Sequence, residues 1–454
     1  MTRYPNVVVL IPGILGSALA GPDGTELWGT APSVFFGNLA TLGSRLNALE
    51  LIGDDPDIDD IGDGITSTRL ISDLHLIPGL WKIDGYTKIR TTLVDRFNLV
   101  PGRNFFELAY DWRRDNRVAA RALARQALKW LEDWRESSGN SSARLVLVAH
   151  SMGGLVARHF LEVLDGWRHT ALLATFGTPF RGAPEALGAL SNGLIIGGVA
   201  DVSKLVRSMT SVYQLLPVYP MFVQNDSSTV RLGEASGIPN LSINRIADAR
   251  RFHDHIREAQ ASNAAIEAYG LNFRIVPFIG TEQATANFAR ASRYGVELLK
   301  RHAGKDHRGD GRVPRVSALP IEMADDTAAS FVANAHASLQ NADAALVHLC
   351  GCLDGSEIDY GAFRSGLAVS LGLEIEDAYA ARLPIELKAS AGAYRQGLGF
   401  VVSDTGSGAV VARGWLWNKK DNEFRGEIEL PPGVYRIHLT SDGASPVTDV
   451  FTVF

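Results

Sequence analysis

One stretch, Arg144-Leu-Val-Leu-Val-Ala-His-Ser-Met-Gly-Gly-Leu-Val-Ala-Arg158, limits the choice of fold more than any other part of the chain. Its first half is a short, continuous apolar run, the pattern of a strand buried on both faces. Just past it, Met152, Leu155, Val156, Phe160 and Val163 recur at helical spacing. Ser151 therefore falls in the turn between strand and helix, with Ala149 two residues before it and Gly153 two after. A strained turn of this kind needs small residues there, because larger side chains collide with neighbouring backbone. It exposes the serine hydroxyl and sets it at a helix N-terminus, where developing negative charge is favoured. Ala149 stands where the usual G-x-S-x-G pattern has its first glycine, a departure that a methyl group can fit.

The rest of the first 350 residues agrees with such a turn. Apolar runs at 7–11, 145–149, 171–176 and 273–279 read as buried strands. A helix over 116–134 places Leu123, Ala127, Trp130, Leu131 and Trp134 on one face. Strands alternating with helices imply a mostly parallel sheet covered on both sides. A stretch of about 185–270 breaks the rhythm and reads as a helical cap inserted between core strands. Beyond it the character changes. Short, partly alternating runs at 383–388, 398–403, 410–417, 424–430, 433–440 and 447–454 are separated by turn residues, as in a small antiparallel β-sandwich. The expected organisation is a catalytic domain over 1–350, a helical linker over 351–381 and a β-sandwich over 382–454.

A serine at its ordinary pKa is a poor nucleophile and needs a base held by an acid. With the serine on such a turn, the acid and then the histidine follow in chain order. Asp310, in Gly309-Asp-Gly-Arg-Val-Pro314, sits between glycines that mark a tight loop able to present a carboxylate inward. Asp306 competes, but its charged neighbours suit a solvated turn. His336, in Asn334-Ala-His-Ala-Ser-Leu-Gln-Asn341, opens a helix among small residues and is the expected base. His150 is expected to point away from the serine, and His253 and His255 to lie on the surface. The oxyanion needs two backbone N–H groups, one from Met152, the residue after the nucleophile. Val7-Val-Val-Leu-Ile-Pro-Gly-Ile-Leu-Gly-Ser17 offers the other, at Ile14 or alternatively Leu15, with Gly13 and Gly16 allowing the backbone angles.

These residues look like those of an α/β-hydrolase, and in order they resemble the lecithin:cholesterol acyltransferase family, with its lysosomal phospholipase A2-like members. The segments that carry the resemblance are Ile11-Pro-Gly-Ile-Leu-Gly-Ser17, Ala109-Tyr-Asp-Trp-Arg-Arg114, Ala149-His-Ser-Met-Gly-Gly154 and Gly309-Asp-Gly-Arg-Val-Pro314 with His336. Arg207-Ser-Met-Thr-Ser-Val-Tyr-Gln-Leu-Leu-Pro217 looks like the segment where that family's cap meets the core. The resemblance spans roughly 5–345 and implies Ser151, Asp310 and His336 as triad, Ile14 and Met152 as oxyanion donors, and a lipid ester as substrate. Region 20–80 matches less well, and the C-terminal β-domain lies outside the resemblance. Tyr110-Asp-Trp-Arg113 reads as a buried clamp beside the site.

The remaining features narrow the classes. A net charge of −6 provides no basic field, so nucleic acid is not an expected partner. The chain shows no export signal, no apolar run of membrane-spanning length and only two cysteines, Cys350 and Cys352, which points to the cytoplasm. No zinc, phosphate-loop or dinucleotide motif is present, so no cofactor or metal is expected. The carboxylate-rich stretch 53–64 invites a calcium reading but departs from the calcium-loop template, having Pro56 early and Asp60 where a glycine belongs; a solvated acidic loop fits better. The apolar pieces 194–199 and 217–223 either line an acyl channel or form the cap's own core. Serine acyl-ester chemistry on a lipid is the leading reading, with membrane contact and a protein partner through the β-domain left open. A non-lipid esterase, thioesterase or amidase with the same triad is the alternative. A catalytically silent interaction protein that uses the β-sandwich is the alternative of another class.

Overall fold

The computed structural model describes residues 4–29, 39–72, 75–77, 81–196, 200–323, 329–355, 370–420 and 422–454. Its central sheet is parallel throughout, in the order Ser330–Val332, Arg274–Gly280, Thr170–Phe176, Leu145–His150, Val7–Ile11 and Phe105–Glu107. The runs read as strands from their apolarity form its middle. The two edge strands span three residues each and are too short to show a period. Every residue of Val7–Ile11 and Leu145–His150 is buried, so both sheet faces must be covered. Helix Asn116–Ser138 does part of this with Ala119, Leu123, Ala127, Leu131 and Trp134. Asp115 caps it by accepting the Arg117 N–H at 2.8 Å, and Gly139, at φ 69°, ends it.

The chain leaves the sheet after Thr170–Phe176, where the sequence rhythm breaks, and returns at Arg274–Gly280. Helix Pro184–Asn192 opens this cap, and helices Ile243–Ala264 and Glu267–Asn272 close it. The cap also draws on residues beyond 270. Its short strand Phe222–Val223 has Thr229–Val230 on one side and Phe288–Ala291 on the other, and Val296–Leu299 extends the sheet. A two-stranded ribbon this short is not stable alone, and the later hairpin covers its free edge. The segment 207–217 does join cap to core. Ser211 Oγ donates to the Trp112 carbonyl at 2.6 Å, and Gln214 Oε1 accepts from both nitrogens of Asn116 at 2.9 Å. His253, expected on the surface, is buried here with Nε2 2.8 Å from the Gln214 carbonyl. The cap folds back over that helix face, which the charged sequence around it does not reveal.

The C-terminal sheet runs Leu371–Glu374, Ile385–Ala391, Glu423–Ile428, Val410–Lys420, Gly397–Asp404, Gly433–Thr440, Val447–Val453, Ala378–Tyr379. All neighbours are antiparallel except the last pair. The sheet curls until Leu371–Glu374 lies against Gly433–Thr440 and Val447–Val453, enclosing Leu371, Leu398, Leu416, Phe424, Ile437 and Phe451. The expected β-sandwich is thus one mixed sheet folded into two layers. Two of its strands fall within 351–381, the stretch expected as a helical linker. Helix Asp343–Asp354 covers only the start of that stretch, 356–369 lies outside the described residues, and Leu371 and Leu373 point into the β-core.

The acidic stretch 53–64 is wound around arginine. Arg114 Nε pairs with Asp54 at 2.9 Å, while its other nitrogens donate to the Asp55, Ile58 and Asp59 carbonyls at 3.0, 2.7 and 2.5 Å. Arg113, fully buried, pairs with Asp111 and with Asp63 at 2.8 Å and donates to the Leu49 carbonyl. Asp54 and the Asp55 carbonyl thus face guanidinium on the inner side of the loop, while Asp57, Asp59, Asp60 and Asp63 stay exposed, as expected of a solvated acidic loop. Among the described residues no cluster could hold a metal ion. Removing one partner from such a buried set leaves the others unsatisfied, so Arg114→Ala is expected to lower stability by ~3 kcal/mol. Chemical denaturation checks the loss, and calcium is expected to leave the melting temperature of the unaltered chain unchanged.

Candidate active site

The site begins with the central strand Leu145–His150, which delivers Ser151 to the C-terminal edge of the sheet. Ser151 has φ 51°, in the left-handed region that a side chain with Cβ avoids. Its surroundings hold it there. The Ser151 N–H donates to the Phe176 carbonyl at 2.8 Å, and the Ser151 carbonyl accepts from Thr178 Oγ1 at 2.9 Å and from the Gly154 N–H at 3.0 Å. A Cβ on Gly153 would collide with the Pro12 carbonyl, and one on Gly154 with the Thr178 side chain. The helix Gly153–Val163 can therefore enter this close only with glycines at its start. Ala149, fully buried between Ile11 and Thr175, fits without displacing either.

The structure brings the predicted partners to this serine. His336 Nε2 lies 2.9 Å from Ser151 Oγ, and His336 Nδ1 lies 2.7 Å from Asp310 Oδ2. The other carboxylate oxygen, Oδ1, accepts the Arg312 and Val313 N–H groups at 3.0 and 2.7 Å. Since a carboxylate only accepts, Nδ1 carries the ring proton and Nε2 is free to accept from the serine hydroxyl. All three residues are buried. The histidine opens a 3-10 turn, His336–Asn341, rather than an α-helix, and its own N–H donates to the Asp310 carbonyl at 2.8 Å. Two glycines that sequence reading passed over make room for the pair. A Cβ on Gly177, at φ 58°, would sit 2.8 Å from Asp310 Oδ2, and one on Gly280 would strike the Asp310 side chain. Asp306 stays away, in an exposed turn with Arg301.

The loop after Val7–Ile11 reaches the same point. Gly13 and Gly16 do not take left-handed angles; Leu15 does, at φ 62°. Their lack of a side chain serves close approach instead. A Cβ on Gly13 would lie 2.8 Å from Ser151 Cβ, and one on Gly16 would lie 2.9 Å from Tyr86 Oη. The N–H groups of Ile14, its alternative Leu15 and Met152 donate to no group among the described residues, so each is a candidate donor to an incoming oxygen. Tyr110 Oη, from the Tyr-Asp-Trp-Arg segment, donates to the Pro12 carbonyl at 2.9 Å, and Trp112 Nε1 donates to the Ser17 carbonyl at 2.9 Å. That segment clamps the loop, as its composition implied.

Tyr86 and His150 form a brace that the sequence did not disclose. His150 Nε2 faces the His336 carbonyl at 3.2 Å, so it must carry the ring proton. Nδ1 then accepts from Tyr86 Oη at 3.0 Å, and the same oxygen accepts the Gly13 N–H at 2.8 Å. One chain of hydrogen bonds thus joins the Gly13 loop to the backbone of the candidate base. Burial, with the nearby His336 ring, lowers His150 from 6.5 to about 3, and burial raises the Tyr86 phenol.

A cavity of about 770 Å³ opens beside Asp310 and His336, with Leu194 and Ile195 of the cap in its wall. A second, of about 500 Å³, lies within the cap and is lined by Leu216, Pro217, Val218 and Ile246. Met221 and Phe222, from the other apolar stretch, belong to the packed core.

With this geometry in place, the model of the family described as "Lecithin:cholesterol acyltransferase" matches residues 62–276. The resemblance read from the motifs is thereby shown. The match takes in the serine turn and the cap through its closing helices, short of the hairpin over 288–299. The first strand, Asp310 and His336 lie outside it. No curated protein matches the chain. Among solved structures, the mature lipase BlEst2 of Bacillus licheniformis is 13% identical, over 78% of this chain and 93% of that one, with a TM-score of 0.32. Phospholipase PlaB from Legionella pneumophila is 9% identical, over 98% of this chain and 89% of that one, with a TM-score of 0.29. At these scores neither likeness bears on the site. Among the described residues no helix is long and apolar enough to cross a membrane.

Two outcomes follow from the brace. Tyr86→Phe removes the only hydroxyl serving both Gly13 and His150 and is expected to cost about 1–3 kcal/mol of stability, read by denaturant titration. The second concerns pH. Native His150 and His159, both lowered from 6.5 to about 3 by burial, refuse a proton that the unfolded chain accepts. Stability is therefore full above pH 6.5 and falls as pH drops toward 3, by up to ~1.4 kcal/mol per pH unit for each histidine. Melting curves between pH 7.5 and 4.5 check the direction.

Proposed function

We propose that this chain is a serine acyl-ester hydrolase or acyltransferase acting on a lipid ester through an acyl-Ser151 intermediate. The observation that carries this reading is the continuous contact Ser151 Oγ–His336 Nε2 and His336 Nδ1–Asp310 Oδ2, at 2.9 and 2.7 Å, on a left-handed serine turn. The lipid part of the reading rests on the family match and on the Tyr110-Asp-Trp-Arg113 and 207–217 segments.

In the proposed sequence Ser151 Oγ attacks the ester carbonyl while its proton passes to His336 Nε2. Asp310 holds Nδ1–H and stabilises the imidazolium; its second oxygen stays anchored to two backbone N–H groups, so it does not turn away. The carbonyl oxygen, now negative, takes the N–H groups of Ile14 and Met152, a class of donor that contributes ~3–4 kcal/mol of barrier lowering when removed singly. His336 returns the proton to the leaving alkoxide, the C–O bond breaks, and the acyl group stays on Ser151. A water or an alcohol then gives its proton to His336 and attacks the acyl carbon, which releases the acid or a new ester and restores the serine. No metal or redox group takes part in these steps.

A fluorophosphonate probe tests the reading directly, because it phosphonylates only an activated serine. Labelling of the full chain is expected, with none in Ser151→Ala. His336→Ala and Asp310→Asn are expected to slow it at least a hundredfold, in line with the cost of a lost base or orienting acid. Absence of labelling in correctly folded wild type would defeat the proposal. Turnover of long-chain against short-chain esters, with and without vesicles, separates the lipid reading from a non-lipid esterase.

A further inference from the structure

The loops carrying Asp310 and His336 are held on their outer side by the C-terminal β-domain, and three independent contacts show it. The first runs through Arg312. Its N–H donates to Asp310 Oδ1 at 3.0 Å, while its guanidinium pairs with Asp377, on the segment between the β-domain strands Leu371–Glu374 and Ala378–Tyr379. One residue thus ties the triad acid to the β-domain through its own backbone and side chain. Lys82 closes the set, bonding Asp377 at 3.2 Å and Asp449 at 2.8 Å and donating to the Val450 carbonyl at 3.0 Å. Burial alone would lower the Arg312 guanidinium and raise the Asp377 carboxyl. Their mutual charge, with Glu185 beside Arg312 and Lys82 beside Asp377, carries each the other way.

The second contact runs through Gln283. Its N–H donates to the Gly309 carbonyl at 3.0 Å, next to Asp310, and its amide binds the edge strand of the β-domain, accepting from Leu373 N–H at 3.0 Å and donating to the Leu371 carbonyl at 3.2 Å. The third surrounds the histidine. Asn334 Oδ1 accepts the Thr448 N–H at 3.0 Å, and Ala337 packs against Val434 and Val450 in a small buried cluster. The same domain supplies Leu373, Glu376, Asp377 and Asp449 to the wall of the cavity that opens beside His336.

We infer that the C-terminal β-domain is a built-in part of the active site, with Asp377 as the positioning residue that holds the Asp310 loop through Arg312. This inference rests on the serine reading above. A triad works only while its members keep their mutual geometry to within about half an ångström, and here the acid sits on an irregular loop and the base at the first residue of a short 3-10 turn. The inner side of those loops meets the sheet at Gly280 and Gly177. The outer side meets the β-domain. An independently tethered module would leave that side to solvent.

The test compares Asp377→Asn, Asp377→Glu and Trp415→Ala in the full chain by the rate of fluorophosphonate labelling and its dependence on pH. Trp415 is a control, an exposed side chain of the same domain. Asp377→Asn is expected to slow labelling ten- to a hundredfold and to move the acidic limb of the pH profile, because a loosened Asp310 supports the imidazolium less well. Asp377→Glu is expected to recover much of the rate, and Trp415→Ala to behave as wild type. Val450→Ala, a milder truncation at the His336 contact, serves if Asp377→Asn does not fold and is expected to slow labelling in the same way. Rates within twofold of wild type with an unmoved pH limb, alongside a lowered melting temperature, would overturn the inference and leave a merely structural contact. If wild type itself does not label, the serine reading fails instead.

Discussion

The left-handed backbone of Ser151 sets the terms for everything packed around it. A residue with a Cβ takes φ 51° only where neighbours over-determine it, and here the Phe176 carbonyl, the Thr178 hydroxyl and the Gly154 N–H all bind its main chain. The cost of that conformation is offset by a turn tight enough to bring a strand end, a helix start and a neighbouring loop to one point. Gly13, Gly153 and Gly154 are consequences of the same crowding, since each would place a Cβ on an atom of the turn or its neighbours.

Around this point the molecule arranges hydrogen bonds so that few groups can rotate. The Asp310 carboxylate has one oxygen on backbone N–H groups and the other on His336. His150, kept neutral by burial, relays from the His336 carbonyl through Tyr86 to the Gly13 N–H. The Gly13 loop and the histidine loop are thereby coupled on the side of the sheet, while the β-domain contacts the Asp310 and His336 loops on the other. Among the described residues the N–H groups of Ile14, Leu15 and Met152 beside the serine have no acceptor.

Much of this was legible in the chain. The serine turn, the four middle strands, the capped helix from Asn116 and the order Ser151, Asp310, His336 each follow from local patterning: continuous apolarity, helical spacing, small residues about a serine, glycines about an aspartate. The short edge strands escaped because three residues carry no period. His253 escaped because its burial against Gln214, 39 positions earlier in the same cap, leaves no mark on a charged helix. The acidic stretch 53–64 is exposed over most of its length, as its composition implied; which of its oxygens a guanidinium takes was not legible, since Arg114 lies 60 positions from Asp54. Glycines 13 and 16 were assigned the wrong virtue, space being invisible in sequence where flexibility is assumed.

By itself the sequence determined the elements and the chemistry that each could carry, because strand, turn and helix preferences act over a few residues. It also determined that a serine would stand on a strained turn and that an acid and a histidine would follow. Only the tertiary structure decided which groups face one another across long separations: Tyr86 against His150, Gln283 against Leu371 and Leu373, Arg312 against Asp377. Such pairings depend on how the domains close over the sheet, and no local preference encodes them. For Ser151 the sequence named the candidate nucleophile, and the packing of distant loops decided how firmly its neighbours are held.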